Sequence, residues 1–316
     1  MDFQKYAKPV SHQSRFGGLW TDLTNADEIV TGKLQLGQIT SEEEAMLRAW
    51  IRDGYIIIEN AVPTELIDDA LEDVARIYRE GKALVETYEF NDVRLVGVEE
   101  RHRQLPHKLI DAYALSEPLR KMQHSDRISR FLNLVFDRPA LAFQSLYFEW
   151  GSQQSIHQDT AYVRINRPME MAASWIAMED IQEGSGELEY FVGSHRIPEF
   201  LFQGTDKWMP YDASGAAEHP AFLAHIQEES AKMGLKKERF RPRKGDALIW
   251  SADLCHGGSP VTNKVTRRSF VTHYCPSTAN PFYVDASGAY SGKIQLNNRG
   301  YYSYSFHGNA VDPYNR

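Results

Sequence analysis

Three short stretches carry residue types whose spacing could do chemistry. His157-Gln158-Asp159 lies in a segment of strand character, Ser155–Val163. Side chains alternate across a strand, so this reading puts His157 and Asp159 on one face. An imidazole and a carboxylate so placed offer two neighbouring ligands to a metal ion, although the same triplet also arises as a surface or structural ion pair. His256 stands in Asp-Leu-Cys-His-Gly-Gly-Ser-Pro, at the end of a run that begins at Gly245. Brought in from that distant strand, it would complete a set of two histidines and one carboxylate. Such a set leaves coordination positions open and suits non-haem Fe(II) oxygen chemistry. Eleven residues beyond His256 comes Arg267, followed by Arg268 and the strand-like run Ser269–Tyr274. A guanidinium fork donates two parallel hydrogen bonds to a carboxylate. A cosubstrate with a distal carboxylate, such as 2-oxoglutarate, needs that clamp. The arginine pair alone reads equally as a solvated basic pair.

These residues need a frame of strands. From Leu141 to about Cys275 the pattern is mainly strand, at Leu141–Trp150, Met169–Met178, Ala247–Trp250 and Ser269–Tyr274. The first 135 residues read mainly as helix. Thr40 and Glu43 have capping-box spacing ahead of a helix to Arg52, which Asp53-Gly54 stops. Tyr55–Ile58 is a short β-branched strand. Pro63 and Gly81 bracket a helix with one apolar stripe from Leu66 to Tyr78, and another helical stretch is expected around 115–135. Residues 1–38 lack periodicity and read as an N-terminal arm; 82–108 show no clear period. Residues 199–243 are too many for a tight loop and read as a lid insertion, with a helix near 221–233 and the aromatics Phe200, Phe202, Trp208, Tyr211 and Phe222. The tail 276–316 reads as irregular. Helices first and strands after argue for one α+β domain over residues 1–316, with helices packed on an antiparallel sandwich or barrel.

Composition narrows the function. The 316 residues carry 35 Lys plus Arg against 43 Asp plus Glu, a formal charge of −8, which argues against non-specific nucleic-acid binding. Two cysteines, Cys255 and Cys275, are too few for a disulfide framework and read as free thiols in a reducing compartment. The N-terminus shows no secretory pattern, and no apolar run is long enough to cross a membrane. The expectation is a soluble, cytoplasmic protein with a small-molecule substrate and neither a nucleic-acid nor a membrane partner. Oligomeric state is not legible.

The order H-x-D, about one hundred residues, His, then Arg after eleven, resembles the phytanoyl-CoA dioxygenase-like Fe(II)/2-oxoglutarate oxygenases. The resemblance covers roughly residues 41–275. It extends to Ile51-Arg52-Asp53-Gly54-Tyr55, to Trp175 in Ala-Ser-Trp-Ile-Ala-Met, to Gly184-Ser185-Gly186-Glu187-Leu188 with Val192-Gly193-Ser194-His195, and to Lys244-Gly245-Asp246-Ala247. It implies a double-stranded β-helix, a jelly-roll or cupin-like barrel with the metal in its mouth. It implies Fe(II) on His157, Asp159 and His256, Arg267 on the C5 carboxylate of 2-oxoglutarate, O2 at the remaining site, and Gln158, Trp175 and Ser259 beside the cosubstrate. Two positions depart from the family pattern: Val192 replaces the usual Pro, and Gly258 stands where some members place a hydroxyl. Related halogenases replace the carboxylate ligand with a small residue, so Asp159 favours hydroxylation or another oxidation over halogenation. The implied reaction hydroxylates an unactivated C–H and releases succinate and CO2. The substrate would be a small metabolite or natural-product intermediate, with an acyl-CoA or lipid as the alternative.

Other features have two readings. His195 follows a Gly-Ser turn and reads as a substrate contact or a backbone-bonded turn residue. His273 would face the barrel interior if strand alternation holds. Cys255 precedes a ligand and is turned away from it. The stretch Arg101–Lys108 would greet an anionic substrate group or form a solvated loop. A zinc-dependent cupin-type hydrolase or a non-catalytic barrel would leave Arg267 and Trp175 without a role.

Overall fold

The computed structural model describes residues 10–89, 92–282, 293–296 and 300–303. The helices come first: α1 (Ala26–Gln35), α2 (Ser41–Asp53), α3 (Thr64–Glu80), α4 (Glu117–Gln123) and α5 (Asp126–Phe136). Thr40 and Glu43 form the expected reciprocal cap of α2, and Gly54 ends it in the left-handed conformation at φ 80°. Helix α3 runs from its N-cap Pro63 to Gly81, also left-handed. The stretch expected as one helix around 115–135 is two, because His124 and Ser125 leave helical geometry between them. The N-terminal arm packs on the domain over its described residues, 10–38. It contains α1, whose Gly32 and broken apolar spacing hide it from a periodicity search, yet Ala26 and Val30 are buried.

The strands are β1 (Tyr55–Ile58), β2 (Leu84–Glu89), β3 (Asp92–Gly97), β4 (His107–Ile110), β5 (Ala140–Phe148), β6 (Ala172–Ala177), β7 (Leu188–Phe191), β8 (Lys237–Phe240), β9 (Ala247–Ser251), β10 (His256–Gly258), β11 (Ser269–Pro276), β12 (Lys293–Leu296) and β13 (Gly300–Ser303). The larger sheet runs β1-β9-β6-β11-β5-β4-β2-β3, and β13 joins the start of β5 in parallel. The smaller sheet is β10-β7-β8. Three expectations are corrected here. Residues 82–108 contain β2, β3 and part of β4. The 199–243 insertion includes β8, a strand of the smaller sheet paired with β7, as well as helix α6 (Ala213–Lys232), which begins well before the expected 221. The tail is not wholly irregular, since β12 and β13 lie in it; residues 283–292, 297–299 and 304–316 of that tail are outside the described residues.

Alternation along the central strands explains their continuous burial. Ile176 of β6, Ile249 of β9 and Phe270 of β11 pack outward against Leu47, Ile67 and Phe131 of the helices. Trp175, Trp250 and Val271, one residue along, point inward to meet Leu188, Tyr190 and Phe240 of the smaller sheet. A sheet covered on both faces reads as an unbroken apolar run, which is why these strands were legible. The result is an α+β fold: a helix layer on one sheet, and a second sheet closing the interior as a jelly roll.

Candidate active site

His157 and His256 lie opposite each other across an isolated antiparallel bridge. His157 N–H donates to the His256 carbonyl at 2.8 Å, and His256 N–H to the His157 carbonyl at 2.9 Å. Residues paired in this way carry their side chains on one face. The rest of Ser155–Val163 is not a strand. After the bridge the chain enters a 3-10 turn, Asp159–Ala161, and that turn, not strand alternation, swings Asp159 back towards the histidines. Asp159 Oδ1 ends 3.7 Å from His157 Nε2 and 3.5 Å from His256 Nε2. All three side chains are buried and their ligand atoms fall within 4.8 Å of one another.

Local sequence dictates the close approach. A Cβ on Gly257 would stand 2.7 Å from the Gln154 carbonyl oxygen, and one on Gly258 would stand 2.8 Å from the Gln153 nitrogen. Only glycine lets β10 lie against the 153–157 segment, so Gly258 holds no hydroxyl because no side chain fits there.

Each histidine is oriented by a carbonyl two residues back. His157 Nδ1 donates to Ser155 O at 2.8 Å and His256 Nδ1 to Leu254 O at 2.9 Å. A carbonyl only accepts, so Nδ1 carries the proton and the Nε2 lone pair faces the centre. Burial pushes the His256 imidazole down to about 4, against the pull of Asp159, and keeps it neutral. Burial alone would raise the Asp159 carboxyl, but His256 and His273 beside it hold it well below the usual range. Two imidazoles and one carboxylate, converging in a dry site, are a donor set for a divalent transition metal.

Arg267 lies at the same cavity, 2 % exposed. Its guanidinium sits 5.2 Å from the Phe148 ring and 5.4 Å from the Trp175 ring; among the described residues it makes one long hydrogen bond, to Trp150 O at 3.4 Å, and leaves Nε without a partner. It forms no ion pair among the described residues, and burial pushes it down to about 10. Glu187 and Glu179 attract it only from beyond ion-pair distance, and a buried cation without a direct anion is costly, so this geometry fits an anionic group that enters from the cavity.

Of the other expected residues, Trp175 lines the cavity with Leu146, Phe148 and Val271, while Gln158 and Ser259 do not. The Gln158 amide donates to the Asp253 carbonyl at 2.9 Å, and Ser259 Oγ donates to Glu187 at 2.7 Å. Both serve the loops, because the turn after His157 and the step after Gly258 point them outward. His273 does reach the cavity wall, 3.4 Å from Asp159 Oδ2. His195 bonds the Ile51 carbonyl as a turn residue. Cys255 is turned away from the site, and both cysteines are free and buried. The basic stretch is part buried and part solvated: His102, His107 and Lys108 are buried, His107 bonds Tyr78 and Arg103 reaches Glu149, while Arg101 and residues 104–106 are exposed.

Five residues at or behind the site were not singled out from the sequence: Gln154, Trp250, Asp253, Thr160 and Lys207. Gln154 lines the cavity with its amide 3.4 Å from His157 Nε2. Trp250 donates to Asp159 Oδ2 at 2.7 Å. Asp253 accepts from Thr160 at 2.6 Å and from the buried Lys207 at 2.6 Å, tying the Asp159 turn, the His256 loop and the insertion together. Trp250 alone had a signal, as an inward position of a buried strand six residues before His256. The insertion leans over the site through α6, where His219 bonds the Tyr162 hydroxyl at 2.7 Å and Tyr162 sets its edge against His157. Phe200, Phe202 and Phe222 pack on one another instead of lining the cavity.

The family model for phytanoyl-CoA dioxygenase (PhyH) matches residues 50–269. The chain belongs to the phytanoyl-CoA dioxygenase family. It is thus an Fe(II)- and 2-oxoglutarate-dependent oxygenase, with O2 as the other cosubstrate. No curated protein matches the chain in sequence. Among solved structures, the epimerase SnoN in complex with Fe3+, alpha-ketoglutarate and nogalamycin RO is similar, with TM-score 0.58, 16 % identity and coverage of 76 % of this chain and 86 % of that one. The alpha-ketoglutarate-dependent carbocyclase SnoK from nogalamycin biosynthesis has TM-score 0.58, 15 % identity and coverage of 78 % and 87 %. EctD from S. alaskensis with bound Fe has TM-score 0.53, 17 % identity and coverage of 75 % and 77 %. These likenesses establish the jelly-roll fold. Among the described residues no helix is long and apolar enough to cross a membrane.

Proposed function

We propose that this family member is a hydroxylase of a small metabolite or natural-product intermediate, with His157, Asp159 and His256 as the Fe(II) ligands and Arg267 as the clamp on the C5 carboxylate of 2-oxoglutarate. The observation that carries the proposal is the buried Arg267, which forms no ion pair among the described residues, in the same small cavity as the triad. Iron, when bound, supplies the redox chemistry that couples oxidative decarboxylation of 2-oxoglutarate to oxidation of a C–H bond.

The protein's share is orientation and exclusion of water. The carbonyls of Ser155 and Leu254 fix the two imidazoles. Arg267 would pair with one end of the cosubstrate, against a wall made by Phe148 and Trp175 that keeps water from the ion pair. Asp159 fills the carboxylate position, which favours hydroxylation over halogenation. Residues 199–243 would act as the lid of the single domain, held down by the Tyr162–His219 bond. The small-molecule substrate is supported by neighbours whose own names refer to nogalamycin biosynthesis, and by the absence of any cation besides Arg267 among the described cavity residues for a CoA phosphate. Two buried free thiols favour a reducing, cytoplasmic setting.

The test is anaerobic. Fe(II) and 2-oxoglutarate are added to metal-free protein and the visible charge-transfer band is recorded for wild type, His157→Ala and Arg267→Ala. The expected result is a band that disappears in His157→Ala and weakens in Arg267→Ala. A wild type that shows no band and retains zinc would refute the assignment and favour a hydrolase. Succinate release on small polar metabolites against acyl-CoA thioesters then separates the substrate classes.

A further inference from the structure

We infer that Trp250 is a positioning residue of the metal centre, holding Asp159 as a one-oxygen ligand. The inference rests on the proposed assignment of His157, Asp159 and His256 as metal ligands. The two oxygens of Asp159 have different surroundings. Oδ1 faces the Nε2 atoms of His157 and His256, at 3.7 and 3.5 Å. Oδ2 is turned away and accepts the Trp250 Nε1–H at 2.7 Å, with His273 Nε2 3.4 Å off. Among the described residues neither His273 nitrogen meets hydrogen-bond geometry, so the indole at 2.7 Å is the close donor to Oδ2 and His273 a looser neighbour. An indole N–H only donates, and a bond from it to a carboxylate is of the strong, charge-assisted kind. An oxygen engaged in this way is a poor second ligand. A carboxylate binding through both oxygens would occupy a coordination position that a chelating cosubstrate or O2 requires.

Trp250 also touches a second ligand, its ring centroid lying 4.6 Å from that of His256. Its own place is fixed by the fold. It sits on β9 between Tyr55 of β1 and Ala173 of β6, and is 1 % exposed. One rigid side chain thus carries the geometry of the larger sheet to a carboxylate on a turn and a histidine on the smaller sheet.

The experiment uses the full chain, stripped of metal, and Co(II) as the probe, titrated anaerobically by visible absorption. Asp159→Ala serves as the site control and Ile67→Ala, in the helix layer, as the control for general loosening. Trp250→Phe keeps an aromatic ring and removes the N–H. It is expected to bind Co(II) about 10-fold more weakly, the lower end of what loss of a partner behind a metal ligand costs. Its Co(II) bands should also lose intensity as the freed Oδ2 adds to the coordination, whereas Ile67→Ala keeps the wild-type spectrum. Should Trp250→Phe not fold, benzothienylalanine at position 250 preserves the shape and replaces only the N–H. Wild type that fails to bind Co(II) would overturn the triad assignment itself. Binding that is lost in Asp159→Ala but unchanged in affinity and spectrum in Trp250→Phe would overturn the positioning role alone. Equal weakening in Ile67→Ala would also overturn it.

Discussion

Arg267 is built to be unstable until something binds it, and Arg267→Met exposes that. Moving the guanidinium from 12.5 to about 10 corresponds to about 3 kcal/mol spent holding the charge in the cavity. Its compensation is weak. The rings of Phe148 and Trp175 return about 1 kcal/mol each, and the long bond to Trp150 O adds little. A methionine of similar length sits comfortably among Phe148, Trp175 and Val271. The metal-free variant should therefore be at least as stable as wild type, by about 1 kcal/mol. For 316 residues, with about 2.1 cal/mol/K of unfolding entropy each, that is a rise in Tm of roughly 1.5 °C. If Arg267 is the proposed clamp, the same change removes two charge-assisted hydrogen bonds to the cosubstrate carboxylate, about 1.5–3 kcal/mol each, so affinity for 2-oxoglutarate should fall at least ~100-fold. Thermal unfolding with redox-inert Ni(II), with and without 2-oxoglutarate, reads both effects. At 100 times its Kd the ligand should stabilise wild type by about 2.7 kcal/mol, roughly 4 °C, and the variant by no more than about 0.4 kcal/mol, under about 1 °C. A variant several degrees less stable without ligand, or one with the wild-type response to 2-oxoglutarate, would refute the reasoning.

Two further outcomes follow from buried charges elsewhere. Lys207→Met strips Asp253 of its ammonium partner at 2.6 Å, both side chains being buried, and should cost about 3–5 kcal/mol in denaturant unfolding; a loss under about 1 kcal/mol would show that Asp253 does not depend on it. His195 is pushed down from 6.5 to about 4, by burial first and then by the Arg196 charge, so protons bind the unfolded chain more readily. Its stability contribution is full above about pH 6.5, and about 3 kcal/mol is lost as pH falls to about 4. Urea unfolding of His195→Gln across that range should show a smaller loss than wild type, and superimposable curves would count against the burial argument.

The legible part of this protein was what local physics decides. Thr40, Glu43 and Gly54 punctuate α2 through their own side chains and backbone, and the structure keeps them in those roles. The central strands were visible because both of their faces are covered, which leaves an unbroken apolar run. What escaped is set by partners distant in sequence. The hairpin β2–β3 and its neighbour β4 carry mixed polarity at the sheet edge, so no period marks them.

The site shows the same division more sharply. The pairing of His157 with Asp159 on one face was argued from strand alternation, and the side chains do converge, yet by a bridge followed by a 3-10 turn. The spacing of two residues is compatible with both routes, so the sequence constrains which residues meet without stating how. Gln158 illustrates the cost. On a continuous strand it would face opposite to His157; on the turn its amide reaches the Asp253 carbonyl and joins Thr160 and Lys207 in locking two loops together. A residue lying between two expected ligands therefore works for the scaffold. Trp250, 91 positions from Asp159 in the chain, makes the shortest hydrogen bond to that carboxylate among the described residues. The ligand types are local information, but the direction in which each ligand atom points is decided by bonds across the barrel. It is there, at Trp250, Asp253 and the carbonyls of Ser155 and Leu254, that substitution should alter the metal centre without touching a ligand.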